Sequence, residues 1–149
     1  MSRDYAYASV GDVALHVAVA SWTASSRPNA TQVHNYLLDV SDQLDSKLAA
    51  LNYSVPVATG ATQAFNLVNA WAAVGGAMFA VAALPQGDKG VHLPFLERQW
   101  TSILTMLDEG NVTLPGVGKD TVTGRVRFGG PPDSSAFGAS PYFSRGQIE

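Results

Sequence analysis

The chain of 149 residues contains no cysteine. That excludes disulfide staples, thiol nucleophiles and thiolate metal sites, and it fits a reducing compartment. Charge is scarce too. Asp, Glu, Lys and Arg together make up 14%, against about 25% in an ordinary soluble domain. A surface so poor in charge suits a subunit partly covered by partners, so an oligomer is expected. The net charge of −3 lacks the basic excess of a nucleic-acid-binding face. The opening MSRDYAYASV has no apolar run of the secretory kind. Nucleophile-elbow, HExxH, dinucleotide and P-loop spacings are missing. His16, His34 and His92 fall in three separate segments and form no i, i+4 pair. No catalytic, cofactor-binding or metal-ligating residue is nominated, and the expectation is a protein that is not an enzyme.

What the chain does have is a long uncharged centre. From Ala58 to Leu84 it reads ATGATQAFNLVNAWAAVGGAMFAVAAL, and the gap without Asp, Glu, Lys or Arg runs from Leu48 to Gly87. A helix apolar on nearly every side must be buried on nearly every side. It is either the central helix of a bundle or a membrane span over residues 61–84, since about 20 apolar residues suffice to cross a bilayer. Gln63, Asn66 and Asn69, the lack of flanking Lys/Arg clusters, and a content of Ala and Gly rather than Leu and Ile favour the bundle and argue against a membrane.

Around this centre the pattern is helical. Residues 1–8 read as an arm that is loose or bound to a partner. Ser9 and Asp12 have capping-box spacing, opening a short helix through Val10, Val13, Leu15 and Val17 with one buried face. A loop at 19–29 carries Trp22 as an anchor. Asn29 or Thr31 can cap a second helix, whose Val33, Leu37, Val40, Leu44, Leu48 and Leu51 recur at helical period. Asp39, Asp42 and Asp45 lie along another face, either solvated or a charged subunit contact. A break containing Pro56 precedes the third helix, which starts near Thr59. Gly75 and Gly76 inside it each cost about 1 kcal/mol against Ala, so a neighbouring backbone is expected to pack there, between Trp71 and Phe79. After a Pro/Gly loop, a fourth helix begins near Pro94, buries Leu96, Trp100, Ile103, Leu104 and Leu107, and ends at Gly110.

From Asn111 the composition turns to Gly, Pro, Ser and Thr. The stretch Thr121–Phe128 alternates, with Val122, Val126 and Phe128 on one side and Arg125 and Arg127 on the other. That is a strand with no partner in its own chain, suited to adding onto another molecule. Phe137, Tyr142 and Phe143 follow, as the ends of a disordered tail or as the anchors of a docking arm. The division is therefore an arm at 1–8, a helical domain at 9–110 and an extended arm at 111–149. The fold class is all-α, a bundle of about four helices whose arm contributes one β-strand to a partner.

One piece carries a resemblance. The loop and helix T-x-S-S-R-P-N-A-T-Q-V…D-x-L-D-x-x-L-A-A-L-N-Y-x-V-P-V, with the short helix before it and LERQWTSILTMLDEG after it, is similar to the head–tail adaptor proteins of long-tailed double-stranded DNA bacteriophages. The resemblance covers residues 5–114 and rests on a fold pattern. It implies a structural virion protein, made in the bacterial host cytoplasm, forming a ring of about twelve subunits below the portal protein. Such a ring extends the channel through which DNA is ejected, without sequence-specific binding, and presents a platform to the next neck or tail protein. It implies that residues 115–149 reach the portal, with Val122, Arg125, Val126, Arg127, Phe128, Phe137, Tyr142 and Phe143 as partner-binding residues. Asp39, Asp42, Asp45, Asp108 or Glu109 would supply a subunit or channel face. The alternatives are another neck protein, a stopper or tail terminator, richer in strands, or the small membrane protein.

Overall fold

The computed structural model describes residues 6–17, 22–84 and 92–119. Within them the protein is an all-α bundle: α1 (Val10–Val17), α2 (Ala30–Ala50), α3 (Thr62–Ala82) and α4 (His92–Asp108). α3 is the central rod, packed against α1, α2 and α4. From Trp71 to Ala77 every residue is buried, which is what an uncharged helix demands of its surroundings. It is long and apolar enough to cross a membrane, but 61% of its most apolar window is covered by the rest of the fold.

α2 supplies one wall of the core. Val33, Leu37, Val40, Leu44 and Leu48 are each 0% exposed, and burying each such side chain is worth about 1.5–3 kcal/mol. Its start is fixed by Asn29, whose Oδ1 accepts the Gln32 N–H at 2.9 Å while Gln32 Oε1 accepts the Asn29 N–H at 2.9 Å. Thr31 plays no part in that box. The loop before it is held by the same kind of bonding. The Thr23 N–H donates to Ser26 Oγ at 3.0 Å, and the Ala30 N–H donates to the Thr23 carbonyl at 3.1 Å. Trp22 is buried, as an anchor should be, although its indole N–H has no hydrogen-bond partner among the described residues.

α2 and α4 end alike. Asn52, at φ 71°, donates its N–H to Ala49, and the Tyr53 N–H reaches Leu48. Gly110, at φ 74°, donates to Leu107, and the Asn111 N–H reaches Met106. Both are left-handed Schellman closures, the geometry that Gly and Asn alone adopt readily. The two closures meet, since a Cβ on Gly110 would lie 3.5 Å from Leu51 Cδ2.

Four expectations need correction. The notch at Gly75 and Gly76 is filled by side chains, not by a neighbouring backbone. A Cβ on Gly75 would lie 2.8 Å from Val40 Cγ1 and 2.9 Å from the Trp100 ring, and one on Gly76 would lie 2.5 Å from Leu37 Cδ2. Leu15 is not on the buried face of α1; it is 85% exposed while Val13 is 0% exposed. Two residues along a helix is about 200° of rotation, so Val13 and Leu15 cannot share a face. α3 starts at Thr62, because residues 59–60 form a turn closed by the Ala61 N–H on the Ala58 carbonyl at 3.1 Å. The segment at 1–8 is not wholly loose, since Tyr7 and Ala8 are buried at 2% and 5% exposure.

Candidate functional site

Two tyrosines tie the ends of the described chain to the bundle. The Tyr7 N–H donates to the buried Ser41 Oγ at 3.0 Å, and its carbonyl accepts Asn69 Nδ2 at 2.7 Å. The Tyr7 hydroxyl donates to Asp45 and accepts the Val57 N–H at 2.8 Å. Its ring meets Phe65 edge to face at 5.9 Å. Tyr53 does the same at the other end. Its hydroxyl donates to the Val112 carbonyl at 3.1 Å and accepts the Leu114 N–H at 3.3 Å. Lys119 pairs with Tyr53 in an antiparallel bridge, with its ammonium 4.8 Å from the ring centre. The Ser54 N–H donates to the Gly118 carbonyl at 2.8 Å.

These contacts redraw the nominated residues. Leu114 is 3% exposed, so residues 112–119 belong to the bundle and not to an arm beginning at 111. Asp45 leaves the acidic row, because its carboxylate takes the Tyr7 hydroxyl inside the fold. Asp39 is exposed and Asp42 half-buried. Asp108 pairs with Lys47 of α2, and Glu109 accepts Asn111 Nδ2 at 2.9 Å. Val122, Arg125, Val126, Arg127, Phe128, Phe137, Tyr142 and Phe143 lie outside the described residues.

Sequence reasoning missed a surface. A groove of about 390 Å³ lies between α3 and α4, lined by Trp71, Val74, Phe95, Arg98, Gln99 and Ile103 together with Ser102. Phe95 is 53% exposed, and Leu67, one turn before Trp71 on α3, is 37% exposed. Arg98 has no ion-pair partner among the described residues. With Leu15, these are the exposed large apolar side chains of the described fold. The signal for Phe95 was its place one residue before Leu96, off the inner stripe of α4.

Electrostatics elsewhere are local. The Ser9 N–H, which donates to Asp12 Oδ2 at 2.8 Å, and then the Ser9 hydroxyl hold the Asp12 carboxyl below its ordinary value, against partial burial that pushes it up. Among the described residues no three His, Asp or Glu side chains gather as metal ligands would. Comparison with protein-family models, with curated proteins and with solved structures finds no match for this chain.

Proposed function

We propose that this protein is a head–tail adaptor of a long-tailed double-stranded DNA bacteriophage: a structural subunit that assembles in a ring below the portal and extends the DNA channel towards the tail. The observation that carries the reading is the unit formed by the resembling motif. Thr23, Ser26 and Asn29 fold the loop and cap α2, Leu44 and Leu48 fill the core, and Asn52 and Tyr53 turn the chain and hold residues 112–119. The motif is thus one continuous piece of architecture, which a fold-level resemblance requires. An all-α body also favours an adaptor over a strand-rich stopper or tail terminator.

In this reading the bundle is the ring's wall and the segment after Lys119 is the link to the portal, with Val122, Arg125, Val126, Arg127, Phe128, Phe137, Tyr142 and Phe143 as its contacts. Asp39 and Asp42 remain the nominees for a subunit or channel face, where negative charge keeps DNA from sticking. The test is photo-cross-linking in assembled particles from residues 119–145. Trapping against a protein of the capsid vertex is expected. A segment that stays protease-sensitive in the particle, or a chain found away from the neck, overturns the proposal.

A further inference from the structure

We infer that neighbouring copies of this chain join by seating Leu15 of one copy in the α3–α4 groove of the next, beside Phe95, with Asp12 facing Arg98. The inference rests on the ring reading and names its contact.

Leu15 is the starting point. At 85% exposure it presents nearly a whole isobutyl group to water, and its burial against another apolar surface is favourable. Among the described residues of α1, the side towards its start leaves approach open. One turn before it stands Gly11, which is exposed and has open space where a Cβ would be, except for Ser9 Oγ at 3.6 Å. Leu15 is therefore a knob standing out from α1 beside Gly11.

The groove is the complement. Its walls are Trp71, Val74, Phe95 and Ile103, and its volume of about 390 Å³ accepts a leucine side chain with room for a flanking residue. Charge agrees with shape. Asp12 lies three residues before Leu15, on the same side of α1, and its carboxyl is held ionised by the Ser9 cap. Arg98 lines the groove and has no ion-pair partner among the described residues. The knob sits on α1 and the groove on α3 and α4, so each copy carries one of each. Used once per pair of copies, such a contact is heterologous: it adds copies head to tail and closes as a ring when the rotation permits. Used reciprocally, with each copy's Leu15 in the other's groove, it would be isologous and stop at two.

The absence of cysteine makes the test clean. The full chain carrying both Leu15→Cys and Phe95→Cys is incubated at high concentration with a short bis-maleimide and run on a denaturing gel. A ladder extending beyond the dimer and ending at a largest band is expected. Leu15→Cys alone and Phe95→Cys alone should give no ladder, and mixing the two single variants should give one dimer and nothing larger. Arg98→Glu in the double variant should slow cross-linking about threefold or more, and salt should now raise the remaining rate because it screens the new repulsion from Asp12. Both positions are exposed, and an unchanged circular dichroism spectrum checks that the variants fold. Dimers from either single variant, or no cross-linking in the double variant, overturn the contact and leave the groove to another molecule. The chain alone is used. A failed ladder therefore leaves the portal test standing, and a chain found away from the neck leaves the ladder to report plain self-association.

Discussion

Tyr7 joins three parts of the chain at once. Its hydroxyl gives the buried Val57 N–H an acceptor and donates to Asp45, while its backbone is held by Ser41 and Asn69. Tyr7→Phe keeps the ring against Phe65 and removes only the oxygen, so the Val57 N–H is left without that acceptor. The expected loss is about 1–3 kcal/mol, the cost of an unmet buried donor, seen as a lower midpoint in urea with the slope unchanged. A variant as stable as the parent would mean that water replaces the hydroxyl. Gly76→Ala sets two effects against each other. Ala gains about 1 kcal/mol of helix propensity, but its Cβ would stand 2.5 Å from Leu37 Cδ2 and 3.1 Å from Val13 Cγ2. Overpacking of a filled core costs about 1–3 kcal/mol, so the net change is destabilising. Gly60→Ala, with nothing within 4 Å of its Cβ, is the control and should leave the thermal midpoint unmoved. At this scale the sequence was partly readable. The two glycines announced a close approach, but not that Val40, Trp100, Leu37 and Val13 make it. Asp45 looked like its neighbours Asp39 and Asp42, because nothing local reveals a hydroxyl arriving from 38 residues away.

Whole helices were the most legible features, because they are written in short-range patterns. The capping box at Asn29, the buried stripe of α2 and the closure at Gly110 each depend on residues within a few positions of one another. The face of α1 went wrong where that logic was applied too loosely, with Leu15 grouped beside Val13 and Val17 although 200° of rotation separates each from it. The start of α1 yields a prediction with a definite sign. The Asp12 carboxyl accepts the Ser9 N–H and hydroxyl, and its folded value lies below the ordinary 3.8. A depressed folded value gives stability that is fully present above the unfolded value and is lost as pH falls through the folded one. Between pH 7 and about pH 5 this carboxylate therefore adds no slope, and its contribution fades below about pH 4. Asp12→Asn should lower stability by about 0.5–1 kcal/mol at neutral pH, as for a weakened cap. The difference from the parent should shrink towards zero at low pH. Chemical denaturation at pH 7, 4 and 3 measures it, and a gap that widens in acid would contradict the assignment.

For the molecule as a whole, the question is where the body stops. Composition places the boundary at Asn111, where the aliphatic side chains thin out, yet Leu114 is 3% exposed and the Tyr53 hydroxyl is bonded on both sides by residues 112 and 114. A single leucine among Gly, Pro and Thr gives no periodic signal, so its burial could not be read from the sequence; it depends on a tyrosine 61 residues earlier. The two boundaries predict different truncations. A chain ending at Lys119 keeps every contact described here and should unfold within a few degrees of the full-length protein. A chain ending at Gly110 exposes the site that Leu114 fills and strips Tyr53 of both hydroxyl partners. Loss of a buried leucine's packing costs about 2–5 kcal/mol, and for a chain of this size each kcal/mol lowers the midpoint by about 2–4 °C. The shorter form should therefore melt roughly 5–20 °C lower, on the same conversion, by circular dichroism at 222 nm. If the two truncations melt together, residues 112–119 are dispensable and the compositional boundary is the true one. If they separate as expected, the chain ending at Lys119 becomes the tool for the adaptor proposal. It has a complete body, and its loss of portal capture could be blamed only on residues beyond 119.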